Sequence, residues 1–213
     1  PNIDNVYRRE RAIDELPQSG SGRTIMTAEP KFVPEEAVEV TLEGGATFSV
    51  RLIDSVGYMV KGAMGQFEDG TPRMVMTPWS DREMPMAEAA EIGTRKVIEE
   101  HSTVAVVITT DGSITDIPRE DYLEPEERVI TELQALGKPF VVLLNSAEPQ
   151  SSRAQTIARD IESRFGTRCL PVNCLELGEE AIRDIIRGIL YEFPLREMRL
   201  MLPAWVDALP MDH

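Results

Sequence analysis

Positive charge is scarce in this chain: 22 Lys and Arg stand against 37 Asp and Glu, a net charge of −15 over 213 residues. A field of that sign repels nucleic-acid phosphates and anionic headgroups, which excludes nucleic-acid binding and direct membrane contact through this segment. Long apolar runs are missing too, none approaching the roughly 20 residues that span a bilayer, so no direct insertion is expected. No signal-peptide pattern opens the chain, although a start at Pro1 rather than at Met leaves that absence uninformative. A cytosolic location fits best. Cysteine is limited to Cys169 and Cys174, which flank a short apolar segment with no His or further Cys nearby; the pattern points to reduced, partly buried thiols rather than to a metal or disulfide site. The last absence is the most telling. Nowhere does the chain read G-x-x-x-x-G-K-[ST], the loop whose backbone amides cradle nucleotide phosphates.

What is present is enough for one sizeable core, with 42% hydrophobic residues and 28% charged ones. Val38, Val40 and Leu42, then Gly44-Gly45, then Phe48, Val50 and Leu52 alternate about a glycine turn, the pattern of a hairpin over 37–57. Some 30 residues rich in Gly, Pro and Met follow (58–86), predicted as one long functional loop without elements. Its methionines Met59, Met64, Met74, Met76, Met84 and Met86, with Trp79, suit a loop folding over the core better than a self-association surface. From residue 87 the chain alternates: helix 87–100, strand 103–110, helix 124–136, strand 140–144, helix 152–165, strand 169–172 and helix 179–192. The strands are apolar without alternation, as when helices cover both faces of a parallel sheet, so the fold class is doubly wound α/β. Residues 195–202 read as a further strand opening a following region over 195–213.

The run Arg51-Leu52-Ile53-Asp54-Ser55-Val56-Gly57 carries the chemistry. An apolar strand ending in Asp-x-x-Gly is how Ras-like P-loop NTPases place a magnesium-organising carboxylate beside the γ-phosphate. Asp54 is the candidate for that carboxylate. Gly57 is the candidate whose amide meets the phosphate, where a residue without a Cβ lets the backbone approach. Upstream, Thr24-Ile25-Met26-Thr27-Ala28-Glu29-Pro30 occupies the place of switch I, and Thr27 is the candidate to bind the metal by its hydroxyl and hold the attacking water by its carbonyl. The expected fold is therefore a Ras-like P-loop NTPase, a mostly parallel sheet with one antiparallel hairpin, over 1–194. It lacks the first strand, phosphate loop and first helix, as an internal piece of a longer protein would. Residues 1–36 are its switch I region and 58–86 its switch II loop.

After strand 140–144 a guanine-reading site would show Asn-Lys-x-Asp; the chain reads Asn145-Ser146-Ala147-Glu148. Asn145 and Ser146 remain candidates for nucleotide contact. Without the Lys, and with a Glu one methylene too long, guanine donors would go unpaired at about 1–3 kcal/mol each, so ATP is the expected nucleotide. His101 reads as a cation at a helix C-terminus, and Glu124, Glu126, Glu127, Glu179 and Glu180 as first-turn carboxylates that favour the helix dipole.

Several segments together strongly resemble the stage IV sporulation protein A family: Thr24 to Pro34, Arg51 to Tyr58, Pro72-Arg73 with Thr77-Pro78-Trp79, Glu88 to Ile98, Val107 to Ser113, Leu190 to Pro194 and Leu202 to Val206. The resemblance runs through essentially the whole chain in order. It implies a cytoskeleton-like ATPase of endospore-forming bacteria, with ATP and Mg2+, that polymerises on the forespore surface within the mother-cell cytoplasm as the basement layer of the spore coat. It puts the magnesium-associated Asp on Asp54 and the first of two adjacent switch Thr residues on Thr27. The second falls on Ala28, a departure that leaves Thr27 alone to sense the γ-phosphate. The implied partners are further copies of itself and, through C-terminal regions beyond this chain, a small amphipathic membrane-bound peptide and other coat proteins. Two other readings stand beside this one: a non-catalytic assembly module on an NTPase scaffold, and a small regulatory GTPase, which Asn145-Ser146 weakens.

Overall fold

The computed structural model describes residues 31–41, 45, 47–55, 57–63, 65–68, 70–77 and 80–193. Thr27, the rest of the switch I segment up to residue 30, and the strand expected at 195–202 lie outside the described residues.

Strands β1 (Lys31–Thr41) and β2 (Thr47–Asp54) form the expected antiparallel hairpin. Strand β1 starts seven residues before the alternating stretch at Val38, inside the segment assigned to switch I. The alternation hides the early start because the register shifts between Val33 and Val38, and such a bulge moves apolar positions out of phase. The stretch 58–86, predicted to be without elements, holds two short hairpins. One is β3 (Phe67–Glu68) with β4 (Thr71–Pro72); the other is β5 (Met74–Thr77) with β6 (Ser80–Pro85). Among the described residues there are thus three antiparallel hairpins rather than one. Glu68 pairs with Thr71, and Gly70 between them takes φ 78°. Asp-Gly is among the strongest hairpin signals, because the turn asks for positive φ; the surrounding Gly and Pro obscured it.

Helix α1 (Met86–Lys96) opens on the fully buried Met86, packs against β5 and β6, and runs into one wider turn over Val97–His101. Then come β7 (Ala105–Thr110), α2 (Leu123–Ala135) after a short turn at Arg119–Tyr122, β8 (Phe140–Asn145), α3 (Ser152–Phe165), β9 (Cys169–Val172) and α4 (Glu179–Tyr191). The ends of α3 follow local rules: Ser151 Oγ accepts from the Ala154 amide at 3.2 Å, and Gly166 takes the left-handed conformation at φ 62°.

Strands β7, β8 and β9 pair in parallel in that order, with Ala105 opposite Phe140 and Val142 opposite Cys169. The alternating strand and helix signals from residue 87 onward thus match a parallel α/β sheet. One face carries the core, where Val107, Val142, Leu144 and Cys169 meet Ile130 and Leu133 of α2 and Ala154, Ala158 and Ile161 of α3. Helix α4 lies against β8, and a Cβ added at its Gly188 would stand 3.7 Å from Leu170 Cδ1. On that second face β7 is bare: Val106 and Ile108, opposite Val141 and Leu143, are 39% and 63% exposed. Among the described residues β7 pairs only with β8 and β2 only with β1, so no ladder joins β2 to β7.

Candidate functional site

Asp54 closes β2, opposite Lys31 in the ladder, and stands exposed. Gly57 follows at φ 79°, a region that L side chains rarely adopt, and a Cβ built on it would meet nothing within 4 Å. The glycine is therefore needed for the turn, and the space on its Cβ side is open. Its neighbour Tyr58 is only 9% exposed and is drawn to the helices. Its hydroxyl donates to Glu132 Oε2, and the Arg128 guanidinium lies 4.2 Å from the ring centroid. Arg128 in turn grips Glu91 of α1 with two hydrogen bonds of 2.8 Å. That fork holds the Glu91 carboxyl below the usual carboxylate range, while burial and then the bond to Glu132 push the Tyr58 phenol above its ordinary value. Nothing in residue spacing announces this cluster, since Tyr58 and Glu132 are 74 positions apart.

A second group gathers at the carboxyl ends of β7 and β8, where ligands meet open α/β sheets. Asn145 ends β8, and its Oδ1 accepts from the Cys174 amide at 3.0 Å. Ser146 is fully buried; its Oγ donates to Asp111 Oδ2 at 2.7 Å and accepts from the Glu148 amide at 3.1 Å. Asp111 Oδ1 accepts from both the amide and the hydroxyl of Ser113, at 2.9 and 2.5 Å, and Arg153 donates to its carbonyl at 3.1 Å. Burial by itself would raise the Asp111 carboxyl, but the donors Ser113 and Ser146, with the Arg153 charge behind them, outweigh it and hold it below the ordinary range. Gly112, at φ 86°, lets the loop pass over the next turn: a Cβ there would lie 3.0 Å from the Arg119 amide nitrogen. Beneath it the buried Arg119 forks onto Glu126 at 2.6 and 2.8 Å and donates to Thr109 Oγ1 at 2.9 Å. The Asn145 side chain thus ties the end of β8 to the loop after β9, and the Ser146 hydroxyl ties its own loop to the one after β7. Asp111 is the residue that sequence reasoning passed over. Its signal was a polar Thr110-Asp111-Gly112-Ser113 directly behind an apolar strand.

The two groups form separately, Asp54 and Gly57 at the end of β2 and Asn145 and Ser146 at the end of β8. Cys169 is buried and its thiol pushed up to about 12, burial being the main cause; Cys174 is half-buried and also raised by burial. In both, burial disfavours the thiolate form. No described helix is long and apolar enough to cross a membrane.

Residues 1–194 match a family model described as stage IV sporulation protein A, ATPase domain. Over all 213 residues the chain is 49% identical to the stage IV sporulation protein A of Clostridioides difficile (strain 630). It is 48% identical to that of Bacillus subtilis (strain 168) and 47% to that of Bacillus anthracis. It spans 43% of the length of each of these relatives. On the family match and on identity running from end to end, the chain belongs to the stage IV sporulation protein A family.

Proposed function

We propose that this chain is the nucleotide-hydrolysing part of a sporulation ATPase, with ATP as substrate and magnesium as its metal. One observation carries the reading: an exposed carboxylate, Asp54, three residues ahead of a left-handed glycine with open space beside it, in a chain matched by an ATPase-domain family model. Asp54 orients the metal shell, the Gly57 amide donates to the γ-phosphate, and Thr27 supplies a hydroxyl to the metal and a carbonyl to the attacking water. Among the described residues no three or more His, Cys, Asp or Glu converge to hold a metal ion by themselves. A single exposed carboxylate such as Asp54 fits magnesium, which takes one or two protein carboxylates and completes its shell with phosphate oxygens and water.

The phosphate loop, the first strand and the first helix are assigned to sequence ahead of this chain. The exposed Val106 and Ile108 and the edges of β2 and β7 that stay unpaired among the described residues support that assignment. ATP is preferred over GTP because Ser146, at the position of a guanine-site Lys, is spent on Asp111, and Glu148 replaces the base-reading Asp. Asn145 and Ser146 serve the nucleotide by shaping the loop beside it. The relatives' name, stage IV sporulation protein A, supports a role in sporulation. On this reading the whole protein polymerises in the mother-cell cytoplasm on the forespore surface as the base of the coat. Its C-terminal regions meet a small amphipathic membrane-bound peptide and other coat proteins.

A non-catalytic scaffold is the second reading, favoured by Ala28 in place of a second switch hydroxyl. One experiment separates the two. In the full-length protein, Asp54→Ala is expected to lower ATP turnover by more than about tenfold, because metal positioning acts mainly in the transition state. The thermal midpoint should stay in place because the side chain is exposed. Unchanged turnover, or GTP hydrolysed faster than ATP, overturns the assignment.

A further inference from the structure

We propose that Tyr58 is a positioning residue: its seat between Arg128 and Glu132 fixes the backbone of Gly57 and ties occupancy of the phosphate site to the α1–α2 helix pair. The proposal rests on the reading of Gly57 as the phosphate-facing amide. No atom outside its chain neighbours lies within 4 Å of where a Gly57 Cβ would stand. The next residue is its anchor. The rigid peptide plane between Gly57 and Tyr58 carries the Gly57 carbonyl, so the Tyr58 anchor fixes one end of Gly57 and the Gly57 amide, in the plane before it, swings only about that fixed end.

That ring is in a tight seat. The guanidinium of Arg128 covers its face at 4.2 Å and its hydroxyl donates to Glu132. Both belong to α2. The same Arg128 forks onto Glu91 of α1, its Nε lies 3.6 Å from Glu132 Oε1, and Arg95 of α1 reaches Glu132 at 3.7 Å. Loop, α1 and α2 therefore meet in one hydrogen-bonded set centred on Arg128. A planar fork that stacks and pairs at once is geometrically demanding, so a shift at Tyr58 must be matched by a shift of α2 against α1. A γ-phosphate drawing on the Gly57 amide would pull on this set, and a nucleotide lacking it would let go.

The test is hydrogen–deuterium exchange of the full-length protein, with and without ATP and Mg2+, alongside steady-state ATP turnover. In the parental protein ATP is expected to slow exchange in the peptides covering 86–96 and 123–135 by at least about threefold, a local stabilisation of the order such opening reactions report. Tyr58→Phe, which keeps the ring and removes the hydroxyl, should cut that response by more than half. It should also lower kcat by about three- to tenfold with KM unchanged, as for one charge-assisted bond lost in the transition state. Arg128→Lys, which keeps the charge and loses the fork, should do the same. If both variants keep the full exchange response and kcat, the set is merely structural and the proposal is overturned. If the parental protein hydrolyses ATP without any response in α1 and α2, the coupling alone fails. If it neither binds nor hydrolyses ATP, the reading of Gly57 fails and the coupling with it.

Discussion

Strands β2 and β8 look alike as runs of apolar residues and end up as opposites. Five of the six residues of β8, Phe140 to Leu144, are buried, because β8 lies between β7 and β9 with helices against it. In β2 no residue is fully buried and Leu52 is 63% exposed, because the strand has one ladder partner and no helix packed on it among the described residues. The contrast extends to whole regions. Every residue of the central cluster lies between Ile98 and Cys169, whereas the three hairpins expose Leu52, Phe67, Met74 and Met76. The residues proposed to act on the nucleotide, Asp54 and Gly57, thus sit in the loosely packed half. The half that supplies stability contributes the loop braced by Ser146 and Asp111. Function placed at the low-stability end of a fold is free to move when ligand binds.

The largest effect that would break this comparison is predicted inside the tightly packed half. Arg119→Ala leaves the Glu126 carboxylate, whose side chain is 2% exposed, without its partner, and is expected to cost about 3–5 kcal/mol. Equilibrium urea unfolding measures it. The double substitution of Arg119→Met with Glu126→Leu should recover most of the loss, since a buried pair replaced by apolar volume is close to neutral. A loss under about 1 kcal/mol for the single variant would mean that water reaches this site and that the C-terminal half is not the stable one.

How much of this was readable beforehand follows the same divide. Helix α3 and strand β9 were predicted to the residue, and α1, α2, β8 and α4 to within a residue or two at most ends, because stops such as Gly137 and Gly166 are local signals. The hairpins at 67–72 and 74–85 were not legible. Their strands are two to six residues long, and burial within them does not alternate cleanly. Asp54 closes β2, as the strand pattern predicts, and Gly57 follows in a left-handed turn. The Tyr58–Arg128–Glu91 set and the Asp111–Ser146 bond could not be read, since each joins residues 35 to 74 positions apart through side chains alone. Thr27 lies outside the described residues.

An intermediate effect is predicted at Asp111. Its folded-state pKa lies below the ordinary range, so the ionised carboxylate contributes stability at neutral pH. That contribution is lost as pH falls through the acid range toward the folded-state value. Asp111→Asn should therefore cost about 1.5–3 kcal/mol at neutral pH, the worth of hydrogen bonds to a charged group. The difference from the parental protein should shrink as pH is lowered. Urea midpoints taken across the acid limb decide it, and a constant difference at every pH would show that the charge contributes nothing.

The smallest effect is predicted in the loosely packed half, and it sharpens the comparison most. Leu52 is 63% exposed in this chain, so Leu52→Thr should change the stability of the 213-residue chain by no more than about 0.5 kcal/mol, as for surface positions generally. Ile108, 63% exposed on β7, should behave alike on Ile108→Thr. If a strand from preceding sequence pairs along β2 and β7 in the full-length protein, both side chains gain neighbours there. The same substitutions should then cost about 1.5–3 kcal/mol, the worth of burying one aliphatic side chain. A large cost in the long protein and none in the short one would locate the seam on these two strands. Equal small costs in both would mean that no preceding strand covers the exposed faces of β2 and β7.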